Sequence, residues 1–145
     1  NTPGITTTAK LGNNLDVIID AIAGIEAADG HATTVITDPA TWATVSKMKA
    51  GTGSNLPLLG APGQLGAREL LGLPVHVSND VETGTMLIYD KTAIPAAAGE
   101  LQVAVTSDAY FDSDVIGRRI TWRIGWGVAR PDRVAKVTLT DVAGV

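Results

Sequence analysis

Residues 116–128 alternate in a way that few folds can absorb. Ile116, Ile120, Trp122, Ile124, Trp126 and Val128 fall on one side, interrupted only by Arg118, while Arg119, Thr121, Arg123, Gly125, Gly127 and Ala129 fall on the other. A period of two marks a strand with one buried face. Ile116, Ile120, Ile124 and Val128 also stand four apart, as on a helix. Gly125 and Gly127 weaken a helix interior, and β-branched and aromatic residues fit a pleated surface, so the strand is preferred. At about 3.3 Å per residue it would run roughly 40 Å, well beyond the usual strand of about five or six residues. Arg130, Pro131 and Asp132 impose a turn, and residues 134–139 return as a second strand. So long a strand in a chain of 145 residues is a structural member before it is a catalytic scaffold.

A chain of this length defaults to one domain, and 45% hydrophobic with 18% charged residues is enough to bury a real core. No apolar run reaches the length of about 18 residues that a membrane span needs. The chain opens on Asn1 with no visible secretory signal, so it is expected to be processed or cut. With no cysteine, a disulfide framework, a thiol nucleophile and a thiolate metal site are excluded. The net charge of −4 conceals an asymmetry: residues 1–117 carry five basic and thirteen acidic side chains, and residues 118–145 six basic and two acidic. Arginines at strand spacing opposite an apolar face point to pairing with the acidic half, within the chain or between copies, rather than to nucleic acid.

Before the long strand, residues 1–13 are rich in threonine and glycine and read as a linker. A helix is expected over residues 15–28, capped by Asn13 or Asn14, with Leu15, Ile18, Ile19, Ile22 and Ile25 on one face. Gly24 in its middle costs about 1 kcal/mol relative to alanine and hints at a close neighbour. Asp29-Gly30 ends it, Gly30 supplying the left-handed conformation. Residues 31–37 form a short strand. Asp38-Pro39 starts a second helix, lined by Trp42, Val45 and Met48 and stopped by Gly51. Residues 51–69 hold five glycines and two prolines, a loop whose Leu56, Leu58, Leu59 and Leu65 suggest that part of it packs against something. Strands follow over 73–78 and 85–89. Residues 91–100 are ambiguous, and Leu101, Val103 and Val105 alternate as a further strand.

Catalytic constellations are sparse. His76, Ser78 and Asp80 stand at i, i+2 and i+4, but strand neighbours rarely make a hydrolase triad and no nucleophile elbow surrounds the serine. Gly51 and Gly53 resemble the start of a phosphate loop without its lysine. Asp108, Asp112 and Asp114 could gather around calcium, yet they lack EF-hand spacing, and a solvated turn is preferred. Trp122 and Trp126 are read as core rather than as a base-stacking platform. No catalytic, cofactor-binding or metal-binding residue is assigned.

Taken in order, several pieces resemble the HK97-type major capsid proteins of tailed phages. They are the helix over 15–28, HATTVITDPATWATVSKMKA (31–50), LLGLPV (70–75), GTMLIYD (84–90), and FDSD leading into a long arginine-bearing strand that ends in ARP (111–131). The order and spacing of these pieces, from about residue 1 to 140, carry the resemblance more than any one of them does.

The resemblance implies a mixed α/β (α+β) fold, with helices on a mixed sheet plus the long two-faced strand and its returning partner. Residues 14–106 would be an axial-domain-like region, with the 51–69 loop near the capsomer axis. Residues 107–133 would supply the long strand of a peripheral sheet, and 134–145 the returning strand and C-terminus. The family's N-terminal arm, extended loop and spine helix have no counterpart here. The chain is therefore expected to be the C-terminal portion of a longer coat protein, monomeric or forming small rings by itself. In that portion alone, the face bearing Trp122 and Trp126 would be partly uncovered. No crosslinking residue is carried over. The function implied is structural: a non-enzymatic subunit of an icosahedral shell enclosing DNA, without cofactor, pairing with copies of itself as capsomer neighbours. A scaffolding protein or maturation protease would be further partners of the full-length protein, with DNA met only indirectly and no membrane. The virion is the expected location, after assembly in the host bacterial cytoplasm. Two alternatives stand beside this: an encapsulin-type bacterial shell, and a small α/β ligand-binding or enzyme domain using the 51–69 loop.

Overall fold

The strand Thr85–Tyr89, with TMLIY as its sequence, lies at the heart of the fold. In a computed structural model of the chain, residues 2–7, 10–12, 15–49, 51, 54–59, 68–106 and 116–139 are described. Among these residues the strands are β1 (Thr6–Thr7), β2 (Thr34–Thr37), β3 (Glu69–Leu70), β4 (Leu73–Val77), β5 (Thr85–Tyr89), β6 (Ala96–Ala98), β7 (Gln102–Thr106), β8 (Gly117–Thr121), β9 (Ile124–Trp126) and β10 (Val134–Thr138). The helices are α1 (Asp16–Ala27) and α2 (Pro39–Lys47). Six strands form one sheet in the order β1-β10-β5-β2-β4-β3, with β5 antiparallel to both of its neighbours.

Alternation along these strands sends Val35, Val75, Met86, Ile88, Ala135 and Val137 to one side, where they meet Ile18, Ala21 and Ile25 of α1 in a single buried cluster. Val45 and Met48 join the same cluster. Ile36, Leu87, Tyr89 and Lys136 alternate to the other side and are half-buried.

Local chemistry accounts for most element ends. Asp38 caps α2: its carboxylate accepts from the N–H groups of Ala40 (3.0 Å) and Thr41 (3.1 Å), and Pro39 occupies the first turn. The helix closes at Lys47 with Met48 extended, before the expected stop at Gly51. LLGLPV folds as a tight hairpin, with Leu71 (φ 52°) and Gly72 (φ 78°) both left-handed between β3 and β4, as a two-residue turn requires.

Several expectations are corrected. The presumed linker is partly sheet: β1 runs parallel to β10, and Leu11 is buried and bridged to Leu139. Ile19 is 51% exposed, because it lies one position round the helix from Ile18. At the C-terminus of α1 it is Asp29 (φ 62°) that turns left-handed. Gly30 is needed for another reason: a Cβ there would stand 3.0 Å from Arg133 Cγ and Cδ and 3.1 Å from Ile25 Cγ2. The expected capping residues Asn13 and Asn14 lie outside the described residues. So do Leu65, Thr52 and Gly53 of the glycine-rich loop. Of that loop's leucines, Leu59 packs on the chain's own core, while Leu56 and Leu58 are exposed.

Among the described residues Gly24 has no close neighbour, and a Cβ there meets open space. Gly24→Ala is therefore expected to stabilise the folded chain by about 1 kcal/mol. A urea titration followed by far-ultraviolet circular dichroism checks this. An unchanged or lower midpoint would mean that the glycine has a structural duty in α1.

Candidate functional site

The long strand breaks in two. β8 pairs antiparallel with β7, with Gln102 opposite Thr121 and Thr106 opposite Gly117, while β9 pairs with β6, with Ala98 opposite Ile124. The registers differ by one residue: Gly99, Glu100 and Leu101 on one side face only Trp122 and Arg123 on the other, a β-bulge. Two hydrogen bonds hold it. The Gly99 N–H donates to the Arg123 carbonyl at 2.8 Å, and the Trp122 indole N–H donates to the Gly99 carbonyl at 3.0 Å. The result is a two-stranded ribbon over residues 95–106 and 116–127, closed at its base where Gly127 N–H donates to Pro95 O and Ala129 N–H to Ala93 O.

The ribbon corrects two expectations. The alternation of residues 116–128 does not bury one face within this chain. In addition, β10 does not return beside the long strand; it pairs with β5 in the main sheet. The segment around Val103, expected with the helices and main sheet, instead pairs with β8.

Within β7 and β8, alternation places Val103, Val105 and Ile120 on one side, with Leu101, Ile116 and Trp122 continuing it. Ile124 and Trp126 extend the apolar series on β9. These eight side chains are between 58% and 75% exposed. Arg118, opposite Val105, is the one charged residue among them. The other side carries Gln102, Ala104, Thr106, Arg119 and Thr121. An exposed apolar patch on the order of 1,000 Å² exceeds what monomeric proteins usually tolerate and matches one side of a standard interface. Both tryptophans are uncovered, as expected for that face, and they are not core residues of this chain. Sequence reading missed the three partners Leu101, Val103 and Val105. The signal was present, because two alternating segments flank a polar stretch, SDAYFDSD, as in a hairpin.

The residues weighed for chemistry are not brought together. Ser78 and Asp80 form a local turn, the Ser78 hydroxyl lying 3.2 Å from the Asp80 carboxylate, while the Ser78 N–H donates to Thr37 O in the sheet. His76 is exposed on β4. Asp108, Asp112 and Asp114 lie outside the described residues. Among those described, no group of three or more histidine, aspartate or glutamate side chains could hold a metal ion, and no helix is long and apolar enough to cross a membrane.

Two buried carboxylates instead secure the scaffold. The Asp38 pKa is raised by burial, but hydrogen bonds from the Thr41 hydroxyl and from the N–H groups of Thr41, Ala40 and Gly84 outweigh this and hold it below the ordinary value. Gly84 N–H reaches Asp38 at 3.2 Å, tying α2 to the turn before β5. Asp90 is held low by the His31 N–H, then by the Thr92 N–H and hydroxyl, with the Arg133 guanidinium at 3.8 Å adding to it. Arg133 in turn donates to Ala28 O at the end of α1.

The Phage capsid family model matches residues 1–139. The chain belongs to the phage capsid family. Solved structures agree on the HK97-like capsid fold. The capsid of an empty GTA particle is 17% identical with a TM-score of 0.70, covering 93% of this chain and 49% of that one. A structure from Gordonia phage Cozz is 18% identical with a TM-score of 0.65, covering 97% and 51%. A virus-like particle from Pyrococcus furiosus is 16% identical with a TM-score of 0.59, covering 94% and 57%. The chain thus spans about half the length of the shell proteins it matches. No curated protein sequence matches it.

Proposed function

We propose that this chain is the structural part of a phage shell subunit, a component of the virion that works by repeated self-association and not by chemistry. The observation that carries the reading is the ribbon's apolar face, folded by its own ladder and exposed among the described residues. In this reading the six-stranded sheet with α1 and α2 is the axial region of a capsomer, with the 51–69 loop near its axis. The ribbon over residues 95–106 and 116–127 is its contribution to the peripheral sheet. Copies of the subunit are the principal partners. A scaffolding protein or maturation protease, indirect contact with packaged DNA, and assembly in the host bacterial cytoplasm belong to the same reading. An encapsulin-type shell would share the fold, and the match to the phage capsid family favours the phage over it.

The test separates assembly from folding. Ile120→Asp and Val103→Asp place a carboxylate on a face that the core does not use. Particles produced from the gene, counted by electron microscopy, are expected to fall at least about tenfold in yield. The unfolding midpoint of the purified chain should shift by no more than about 0.5 kcal/mol, as for other surface changes. Normal particle yields from both variants would overturn the proposal.

A further inference from the structure

The chain leaves the main sheet and re-enters it at one place. β5 ends at Tyr89, β10 begins at Val134, and these two residues stand opposite each other in the antiparallel ladder. The stretch from 90 to 133 is thus an excursion between two neighbouring strands, and its end residues close on each other. Asp90 N–H donates to Arg133 O at 3.2 Å, and the Arg133 guanidinium lies 3.8 Å from the Asp90 carboxylate. Both side chains are withdrawn from water, Asp90 at 6% and Arg133 at 16% exposed, whereas the pair Lys136–Glu82 lies open at 35% and 77%.

The two oxygens of Asp90 have different partners. Oδ1 accepts from the Thr92 N–H and from the Thr92 hydroxyl, each at 2.8 Å, and so holds the outgoing leg through the short helical turn Lys91–Ala93. Oδ2 accepts from the His31 N–H at 3.1 Å, just before β2, and faces Arg133 on the returning leg. Arg133 extends the contacts to α1: its Nε–H donates to Ala28 O at 3.2 Å. Its stem packs over Gly30, where a Cβ would stand 3.0 Å from Arg133 Cγ and Cδ. One carboxylate and one guanidinium therefore gather the outgoing leg, the returning leg, the entry to β2 and the end of α1 at a single point.

Beyond that point the legs hold each other. Ala129 N–H donates to Ala93 O at 2.9 Å and Gly127 N–H to Pro95 O at 3.2 Å. Among the described residues, no side chain from 94 to 128 belongs to the buried cluster under α1. A buried ion pair is weak evidence for stability, and its best-attested use is to select one arrangement over others. Hydrogen bonds to a charged group are also the strong and directional ones.

We propose that Asp90 and Arg133 are positioning residues that form a latch at the base of the ribbon. The latch fixes the direction in which the ribbon leaves the sheet, and opening it frees both legs while the sheet stays folded. It lies within one chain and acts whatever the ribbon packs against.

Hydrogen exchange on the purified chain, read peptide by peptide with mass spectrometry, tests this. Arg133→Met keeps a stem over Gly30 and removes the guanidinium. It is expected to speed exchange in residues 91–95 and 127–133 at least about tenfold, and in β2 and β5 by no more than about threefold. Thr92→Val removes only the hydroxyl bond of the outgoing leg, and should speed the same two segments more than it speeds β2 and β5. Lys136→Met removes an equal charge from the open pair with Glu82 and should leave both legs unchanged. Equal acceleration of the legs and of β2 and β5 would make the pair merely structural, and unchanged legs in Arg133→Met would mean that the base is held by other bonds. Either result overturns the latch. If Arg133→Met does not fold, Thr92→Val decides by the same comparison.

Discussion

Replacing Ile88 by alanine is expected to cost about 3–4 kcal/mol of folding stability. Ile88 is fully buried in β5, between Val35 of β2 and Ala135 of β10, on the side that receives α1. Removing a large aliphatic side chain from such a place forfeits its transfer free energy and leaves a cavity that a central strand cannot collapse to fill. Urea unfolding of the purified variant measures the loss, and a change below about 1.5 kcal/mol would contradict the packing described. The same truncation at Ile120, which is 68% exposed, should leave the midpoint almost unmoved. Two isoleucines on strands of one chain thus separate a stability phenotype from an assembly phenotype.

The second large effect belongs to Asp38. Its carboxylate accepts from Ala40 and Thr41 at the start of α2 and from Gly84 before β5. Asp38→Ala strips the cap and leaves the half-buried Gly84 N–H with only the Thr41 hydroxyl at 3.1 Å, for a loss of about 2 kcal/mol. The pH dependence follows from the lowered pKa values of Asp38 and Asp90. A carboxylate whose folded pKa is depressed binds its proton more readily in the unfolded chain. Its contribution is therefore complete above the ordinary aspartate value of about 3.9 and is lost as pH falls through the lower folded value. Unfolding midpoints of the natural chain should hold between about pH 7 and 5 and drop below about pH 4, and the difference from Asp38→Asn should shrink over the same range. A difference that persists unchanged at about pH 3 would contradict the assignment.

How much of this was legible in the sequence depended on the range of the interaction. α1 and α2 were legible because their apolar spacing, and Asp38-Pro39 at the second start, are local. β5 was legible as a short, largely apolar run, Thr85–Tyr89, set off by the turn residues before it. Strand partners were not: the choice of β10 for β5 over the long strand is set by packing on α1, at the other end of the chain. β1 consists of two threonines and owes its existence to the edge of β10, so no periodicity announces it. The bulge at Gly99 splits a strand whose own alternation is unbroken, because the extra residue lies on the partner. For the candidate surface, the two faces of residues 116–128 were readable, but Leu101, Val103 and Val105 joined them only once the register was known. Ile19 and Gly24 were misread from opposite directions, the one as core and the other as crowded, since a helix's sequence does not reveal how wide a stripe its neighbours cover.

The clamp at Trp122 gives the ribbon a thermodynamic character of its own. A two-stranded ladder with no layer beneath it is marginal in water, and among the described residues none of its side chains belongs to the buried cluster that holds α1 to the main sheet. Order in the ribbon must therefore be completed by whatever covers it, and each docking event spends part of its free energy on that ordering.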